Sequence, residues 1–448
     1  MPKKRAVSAQ HAEPSVKLSS RGAARLEARH PWVYRSDIVG DKEIPPGAVV
    51  RVFDPRGKFL GTALYSSSSQ IAIRMISHGS VADLPALVAE RIRAAIAYRK
   101  ELVSNTDAYR IVFSEADFLP GLIIDRYSDV ISLQILTQAM DVAPVREAIV
   151  ETLRQIQPVW GWAPSSVQVH VGAGALTCPA ERSSAIACDQ GNPGFATTEE
   201  LQPAGIVERV EARIRELEQL PLLQSRLLWG EKSSTVINMN GVRFHYDAFE
   251  GQKTGAFLDQ RENYAAAAEY AHGEALDAFC YQGGFALHVA TRCSSVTGVD
   301  SSRPALEMAE KNAALNIIEN ARELEWIEAN AFDLLREYAA ANRRYDTIVL
   351  DPPAFAKTKH DLDKALRGYK ELNLRAMKML RPAGILITCS CSFHVSVNDF
   401  LKVLADAAQD AHKSLRLLEN RGAAKDHPVL LNVPETSYLK CLILSVSN

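Results

Sequence analysis

The sequence predicts a multi-domain α/β protein whose C-terminal half is built on a mostly parallel sheet. Three observations predict it. The chain has 448 residues, more than one ordinary domain of about 100–200 residues holds. From about residue 240, apolar runs alternate with helical stretches: "EALDAFCY", "SVTGVD", "LEWIEANAF", "DTIVLDPP" and "GILITCSCS". Strands that are apolar throughout and separated by helices argue for a parallel sheet covered on both faces. Between about 16 and 90, by contrast, short β-patterned runs follow one another with turn residues between them.

That first segment carries "GAVVRVFD", "FLGTALYS" and "QIAIRMIS", punctuated by "EIPPGA" and "DPRGK". It reads as a small β-barrel or sheet domain over 16–90. Ahead of these strands Arg21, Arg25, Arg29 and Arg35 gather around "HPWVYRSD". They form either a solvated helix face or a local basic-aromatic surface. Residues 91–235 read as an α+β segment. A helix over "LPALVAERIRAAIAYRKEL" precedes two strand runs joined by a Pro-Gly turn in "YRIVFSEADFLPGLIIDRYSDVISLQIL". A strand in "SSVQVHV" and a helix over "VERVEARIRELEQL" are expected to close it. Residues 178–205, rich in small and turn-forming types, read as a loop or insertion. Residues 236–448 hold the parallel sheet, and "SLRLLENR" with "YLKCLILSV" predicts an antiparallel hairpin at one edge.

Composition excludes several classes. Hydrophobic content of 47% and charged content of 23% fit a water-soluble globular protein. A formal net charge of −2 gives no chain-wide basic field, so a nucleic acid must be met by a local patch. Seven cysteines, odd in number and widely spaced, argue against a disulfide framework. Cys178 and Cys188 lack the neighbours of a metal site. No apolar run reaches membrane-spanning length, so no membrane partner is expected. The start "MPKKRAVSAQHAEPS" is basic without an apolar core, so residues 1–15 read as a disordered tail and a cytoplasmic location is expected.

In such sheets the ligand lies at the carboxyl ends of the strands. After the first comes "CYQGGFAL", with Gly283 and Gly284; the second ends in Asp300, followed by Ser301, placed to accept from ribose hydroxyls. Asn330, after the third, can meet a base edge, and Asp277, within the first, an ammonium group. A nucleoside with a cationic amino-acid tail and no pyrophosphate fits this set, which is S-adenosylmethionine. The missing third glycine counts against the rival, a nicotinamide dehydrogenase. The fourth strand leads into "DPPAFAKTK". There Pro352 and Pro353 stiffen the turn behind Asp351, Phe355 can stack on a flat base, and Lys357 can touch phosphate.

The chain resembles the PUA-domain-containing ribosomal RNA methyltransferases, close to the large-subunit 23S rRNA cytosine-C5 enzymes. "RHPWVYRSDI", "EADFLPGLIIDRY", "GQKTGAFLDQREN", "LDAFCYQGGFALHVA", "VLDPPAFAKTK", "SCS" and "DHPVLLNVPETSYLK" carry the resemblance over nearly the whole length. It implies an N-terminal PUA-like RNA-binding domain that uses Arg21, Arg25 and Arg35. It further implies a central α+β domain and a Rossmann-like class I methyltransferase domain with a mostly parallel seven-stranded sheet. It puts Lys253, Gln260 and Arg261 in the cofactor wall, with Phe279, Ser301, Ala331 and Asp351. The implied partner is 23S rRNA or a pre-ribosomal particle; a homodimer is left open. Two departures stand out: a longer insertion at 178–205, and Asn330 where an aspartate is expected.

Cytosine-C5 methylation needs a thiolate to add to C6. Cys391, at the strand mouth and matching the family's S-C-S cysteine, is the expected nucleophile, with Asp351 beside the same base. Cys389, still within the strand, reads as core, as does Cys280. The alternatives are a purine N-methyltransferase with no covalent step, and a non-catalytic RNA-binding assembly factor.

Overall fold

The structure, a computed structural model, describes residues 14–40, 43–156, 203–250, 256–316, 323–356 and 358–447. The expectations for residues 1–13, "SSVQVHV", positions 178–202, Lys253 and Lys357 lie outside these residues.

Period-2 alternation builds the N-terminal sheet. Its elements are β1 (Ser15–Leu18), α1 (Ser20–Glu27), β2 (Trp32–Tyr34), β3 (Ile38–Val39), β4 (Val49–Phe53), β5 (Phe59–Tyr65) and β6 (Ile71–Ser77). Six strands lie in the order β2-β6-β5-β4-β1-β3. In β4 the alternate residues Val50 and Val52 point inward, as a strand with one buried face requires. α1 starts where the Ser19 hydroxyl accepts the Gly22 N–H, a side-chain cap.

The central segment comprises α2 (Leu84–Leu102), β7 (Ala108–Phe113), β8 (Leu122–Tyr127), β9 (Val130–Ile135), α3 (Ala143–Arg154), β10 (Gly205–Glu208), α4 (Ala212–Leu217) and β11 (Arg226–Gly230). Its sheet runs β11-β10-β9-β8-β7. The helix expected over "VERVEARIRELEQL" is corrected here. Val207 and Glu208 are strand, and only Ala212–Leu217 is helical. Ile206 and Val207 are fully buried in parallel pairing with β9, and Arg146 from α3 neutralises Glu208. Tertiary pairing outweighs helical periodicity. The N-terminal sheet docks on this segment through Arg74 to Glu218 at 2.9 Å and Trp32 Nε1 to Glu115 at 2.9 Å.

The remainder holds β12 (Ser234–Met239), β13 (Val242–Asp247), α5 (Arg261–Tyr270), β14 (Glu274–Ala278), α6 (Gly284–Ala290), β15 (Ser295–Asp300), α7 (Arg303–Ala314) and β16 (Glu323–Glu328). Then come α8 (Ala331–Ala340), β17 (Tyr345–Leu350), α9 (Leu362–Met379), β18 (Leu380–Ser390), α10 (Val397–Ala411), β19 (Ser414–Arg421) and β20 (Lys440–Ser447). The expected divisions after residues 90 and 235 fall inside α2 and β12. Seven strands form the large sheet β16-β15-β14-β17-β18-β20-β19. The first five run parallel; β20 pairs antiparallel with both β18 and β19, which is the expected edge hairpin. One face packs on α8, α9 and α10, the other on α5, α6 and the β12–β13 hairpin. The second core continues into the central sheet through Ala108, Tyr127 and Val207, and Tyr127 stacks on Tyr246 at 3.6 Å. Among the described residues no helix is long and apolar enough to cross a membrane.

A buried charge joins these parts. Asp426, in the loop between β19 and β20, accepts Arg261 Nη1 at 3.0 Å and the Arg110 N–H at 2.8 Å. Its carbonyl accepts Arg99 Nη2 at 2.9 Å. Burial alone would raise this carboxyl; the His427 and Arg261 charges and the Arg110 N–H outweigh it and hold the group well below the usual range. Replacing Asp426 with alanine leaves the buried Arg261 with only the longer contact to Glu262 at 3.4 Å, so Asp426→Ala is expected to cost about 3–5 kcal/mol in urea denaturation. Because the folded value lies below the unfolded one, the stabilisation is whole above pH ~4 and fades as pH falls. The wild type should therefore lose stability on acidification more steeply than the variant; parallel pH profiles would contradict the assignment.

Candidate active site

A cleft of about 1100 Å³ opens at the carboxyl ends of β14, β15 and β17, where strand order reverses. Gln260, Asp277, Asp300, Asn330, Asp351 and Cys391 border it. Phe279, Gly284, Ser301, Ala331, Pro352, Pro353 and Phe355 complete the predicted residues on its wall.

Asp277 is 1% exposed, and neither carboxylate oxygen has a hydrogen-bond partner. The nearby Ala286 N–H favours its charged form but falls short of a bond. Burial first, then the charges of Asp351 and Asp300, push its carboxyl well above the usual range. A buried acid without a partner is costly, and an ammonium group supplied by a ligand would satisfy it. Asp300 is held open-edged: Oδ2 accepts the Tyr281 N–H at 3.0 Å and Oδ1 the Ser302 N–H at 2.9 Å. The turn between them is strained, with Phe279 at φ +73° and Tyr281 at φ +49°. These groups fit S-adenosylmethionine: Asp277 for the amino acid, Asp300 for the ribose.

Three predicted roles change. Gly283 has φ +86° and begins α6 behind the wall. Gly284 is required because a Cβ there would lie 2.6 Å from the Tyr264 ring, so its smallness serves packing rather than ligand approach. Asn330 caps α8, its Oδ1 accepting the Phe332 N–H at 3.0 Å. That oxygen is taken by the cap, and the amide nitrogen is what it offers a base. Arg261 does not reach the cleft; it is 1% exposed and bound to Asp426. Its neighbour Gln260 does, donating to Asp351 Oδ2 at 3.0 Å.

At the ends of β17 and β18, the thiol is fixed between two buried serines. Ser392 Oγ accepts the Phe355 and Ala356 N–H groups at 3.0 and 3.2 Å, and Tyr369 Oη bonds both Ser390 and Ser392. Cys391 Sγ lies 3.9 Å from the Pro352 carbonyl. Cys389 faces the other way in role: it is fully buried opposite Cys441, and burial raises its thiol. None of the five described cysteines is in a disulfide.

On the N-terminal surface, Arg21 is 74% exposed while bound to Asp37, and Arg25 stacks on Tyr34. Arg35 is occupied by the Ser66 and Ser69 carbonyls, which leaves it a structural part of the sheet. Sequence reasoning missed Lys440, Tyr438 and Asp259. Lys440 stands opposite Ser390 in the β18–β20 register, and its Nζ donates to the Ser392 carbonyl at 2.6 Å. The one available signal was that "SYLK" opens the terminal strand, but its register could not be read.

Comparison with known proteins follows this geometry. Residues 16–78 match a family model described as a PUA-like domain, and residues 221–444 one described as an S-adenosylmethionine-dependent methyltransferase. The chain is 35% identical to the ribosomal RNA large subunit methyltransferase I of Shewanella denitrificans over 440 residues, covering 96% of this chain and 99% of the relative. It is 32% identical to the protein of that name from Yersinia pestis over 424 residues, covering 93% and 95%. A solved S-adenosylmethionine-dependent methyltransferase from Streptococcus mutans covers 96% of this chain and 100% of its own, at 18% identity and a TM-score of 0.72, which is a likeness of fold. A methyltransferase solved with SAH gives 0.74 at the same identity, over 96% of this chain and all of its own.

The Asp277 carboxyl is raised in the ligand-free cleft and would ionise against a bound ammonium, so cofactor binding should release a proton. Calorimetry in two buffers of different ionisation enthalpy should give different binding heats. Asp277→Asn should weaken binding by about 1–3 kcal/mol and abolish the buffer difference without lowering the stability of the ligand-free protein. Equal heats in both buffers would refute the ion-pair role.

Proposed function

Because the chain belongs to the S-adenosylmethionine-dependent methyltransferase family, among the relatives named ribosomal RNA large subunit methyltransferase I, we propose that it methylates carbon 5 of a cytosine in large-subunit ribosomal RNA through a covalent bond from Cys391. The observation that carries this reading is the shared wall: Asp351 and Cys391 end neighbouring parallel strands and border one cleft, with the thiol against the Pro352 carbonyl.

Carbon 5 of cytosine is a weak nucleophile, and a purine nitrogen would need no thiol at this place. In the proposed reaction the Cys391 thiolate adds to C6 of a base turned out of the RNA stack. The electrons released into the ring make C5 nucleophilic. Asp351, oriented by Gln260, accepts from the exocyclic amine or holds N3 and so stabilises the adduct. The bound cofactor supplies an electrophilic methyl group. Water acting as base takes the C5 proton, and the electron pair of that C–H bond expels the thiolate and restores the aromatic ring. Phe355, packed on Tyr369 at 4.7 Å, offers an ordered flat side to the base. Arg21 and Arg25 of the PUA-like domain are the candidates for phosphate contact.

RNA carrying 5-fluorocytosine tests the covalent step, because fluorine at C5 cannot leave as a cation. The wild type is expected to form an adduct that survives denaturing gels. Cys391→Ala should lose adduct and activity together; Cys389→Ala should keep both, being distant from the base. Near-normal turnover by Cys391→Ala would sink the nucleophile assignment. A methylated guanine or adenine product would move the protein to the nitrogen-methylating class.

A further inference from the structure

A cysteine nucleophile needs a thiolate, and Cys391 stands among acidic and aromatic side chains. The acidic side chains of Asp259 and Asp351 border the same cleft. Tyr369 on α9 and Tyr438 before β20 also face the thiol, both pushed up by burial and so uncharged at neutral pH. Tyr438 donates to Asp259 Oδ2 at 2.6 Å, and Arg110 on β7 acts on Tyr438. Behind the strand lie Cys389 and Cys441, the former held neutral by burial.

Lys440 enters this setting from β20. It is 4% exposed, unusual for a lysine, and no acidic side chain pairs with it among the described ion pairs. Its Nζ donates to two carbonyls, Ser392 at 2.6 Å and Tyr438 at 2.8 Å. An ammonium has three N–H donors, and two fixed carbonyls use two of them, which leaves one positive edge for an anion.

We propose that Lys440 is the positioning residue that favours the Cys391 thiolate: its buried ammonium, held on the Ser392 carbonyl next along the chain, offsets the thiolate charge once the thiol has given its proton to water. Burial lowers the lysine to about 8, and Cys391 is the neighbour that favours its charged form, so the ammonium predominates at neutral pH. This rests on Cys391 being the nucleophile, but its test does not need the RNA target.

The full-length protein is alkylated with iodoacetamide across pH, and modification of Cys391 is followed by peptide mass spectrometry. Lys440→Gln keeps a donor for the carbonyls but carries no charge. Its alkylation profile is expected to move to higher pH, with roughly tenfold slower reaction at pH 7, the effect of about one unit in the thiol. Lys440→Arg, a permanent cation, should restore much of the reactivity. Calorimetric binding of S-adenosylmethionine controls for folding. A Lys440→Gln profile that overlays the wild type, in protein that binds the cofactor normally, overturns the proposal. A shifted profile with no cytosine adduct would uphold it and refute the cytosine reading instead.

Discussion

The site depends on one buried ion pair, Asp426 with Arg261. Arg261 begins α5, and the turn before that helix carries Gln260 and Asp259 to the cleft. Asp426 lies in the loop that brings the chain back from β19 to β20, and so to Tyr438 and Lys440. The same carboxylate accepts from β7, and its carbonyl from Arg99 of α2. Helix, terminal hairpin and central sheet are thus held by one charge centre. Such a pair contributes little net stability relative to an apolar core. What it contributes is position, because at this depth a carboxylate and a guanidinium are held where their mutual contact is made.

Around that fixed frame the cleft is electrostatically unfinished. Asp277, Asp300 and Asp351 border it from three neighbouring strands, and the charges of Asp351 and Asp300 raise the cost of charge on Asp277. Asp300 is satisfied by backbone N–H groups and Asp351 by Gln260, whereas Asp277 has neither. The protein keeps an acid where a hydrophobic residue would pack more favourably. The deficit is repaid only when a cation occupies the cleft, which makes charge recognition and cofactor selectivity the same physical event.

Much of this was legible in the sequence. Buried parallel strands are apolar throughout, so β14, β15, β17 and β18 announced themselves, and the acids at their ends marked the cleft. The terminal hairpin was legible from two strand-like runs with no helix-length pattern between them. Illegible were the features set by partners distant in sequence. Nothing local distinguishes an arginine that faces a ligand from one that, like Arg261, pairs with a residue far along the chain. Val207 reads as helical until β9 takes it as a strand neighbour. Gly284 looks like a ligand-facing glycine until the Tyr264 ring is placed against it. Lys440 reads as an ordinary terminal lysine because its meaning lies in the register of two strands.

The alternation of cysteine and serine in "CSCS" resolves by the same logic. Cys389 and Cys391 are two residues apart and chemically identical, yet β18 ends at Ser390, between them. Before that point the thiol is enclosed by the sheet, where burial and the neighbouring Cys441 suppress ionisation. After it the backbone leaves the sheet, and the next thiol emerges beside Pro352. The serines make the transition rigid: Ser390 and Ser392 are both buried, and Tyr369 ties one to the other. A strand end is therefore the boundary between a thiol that packs and a thiol that can react. A shift of β18 by two residues would put one thiol in the other's place, which is why the register set by β20 bears on chemistry as much as on stability.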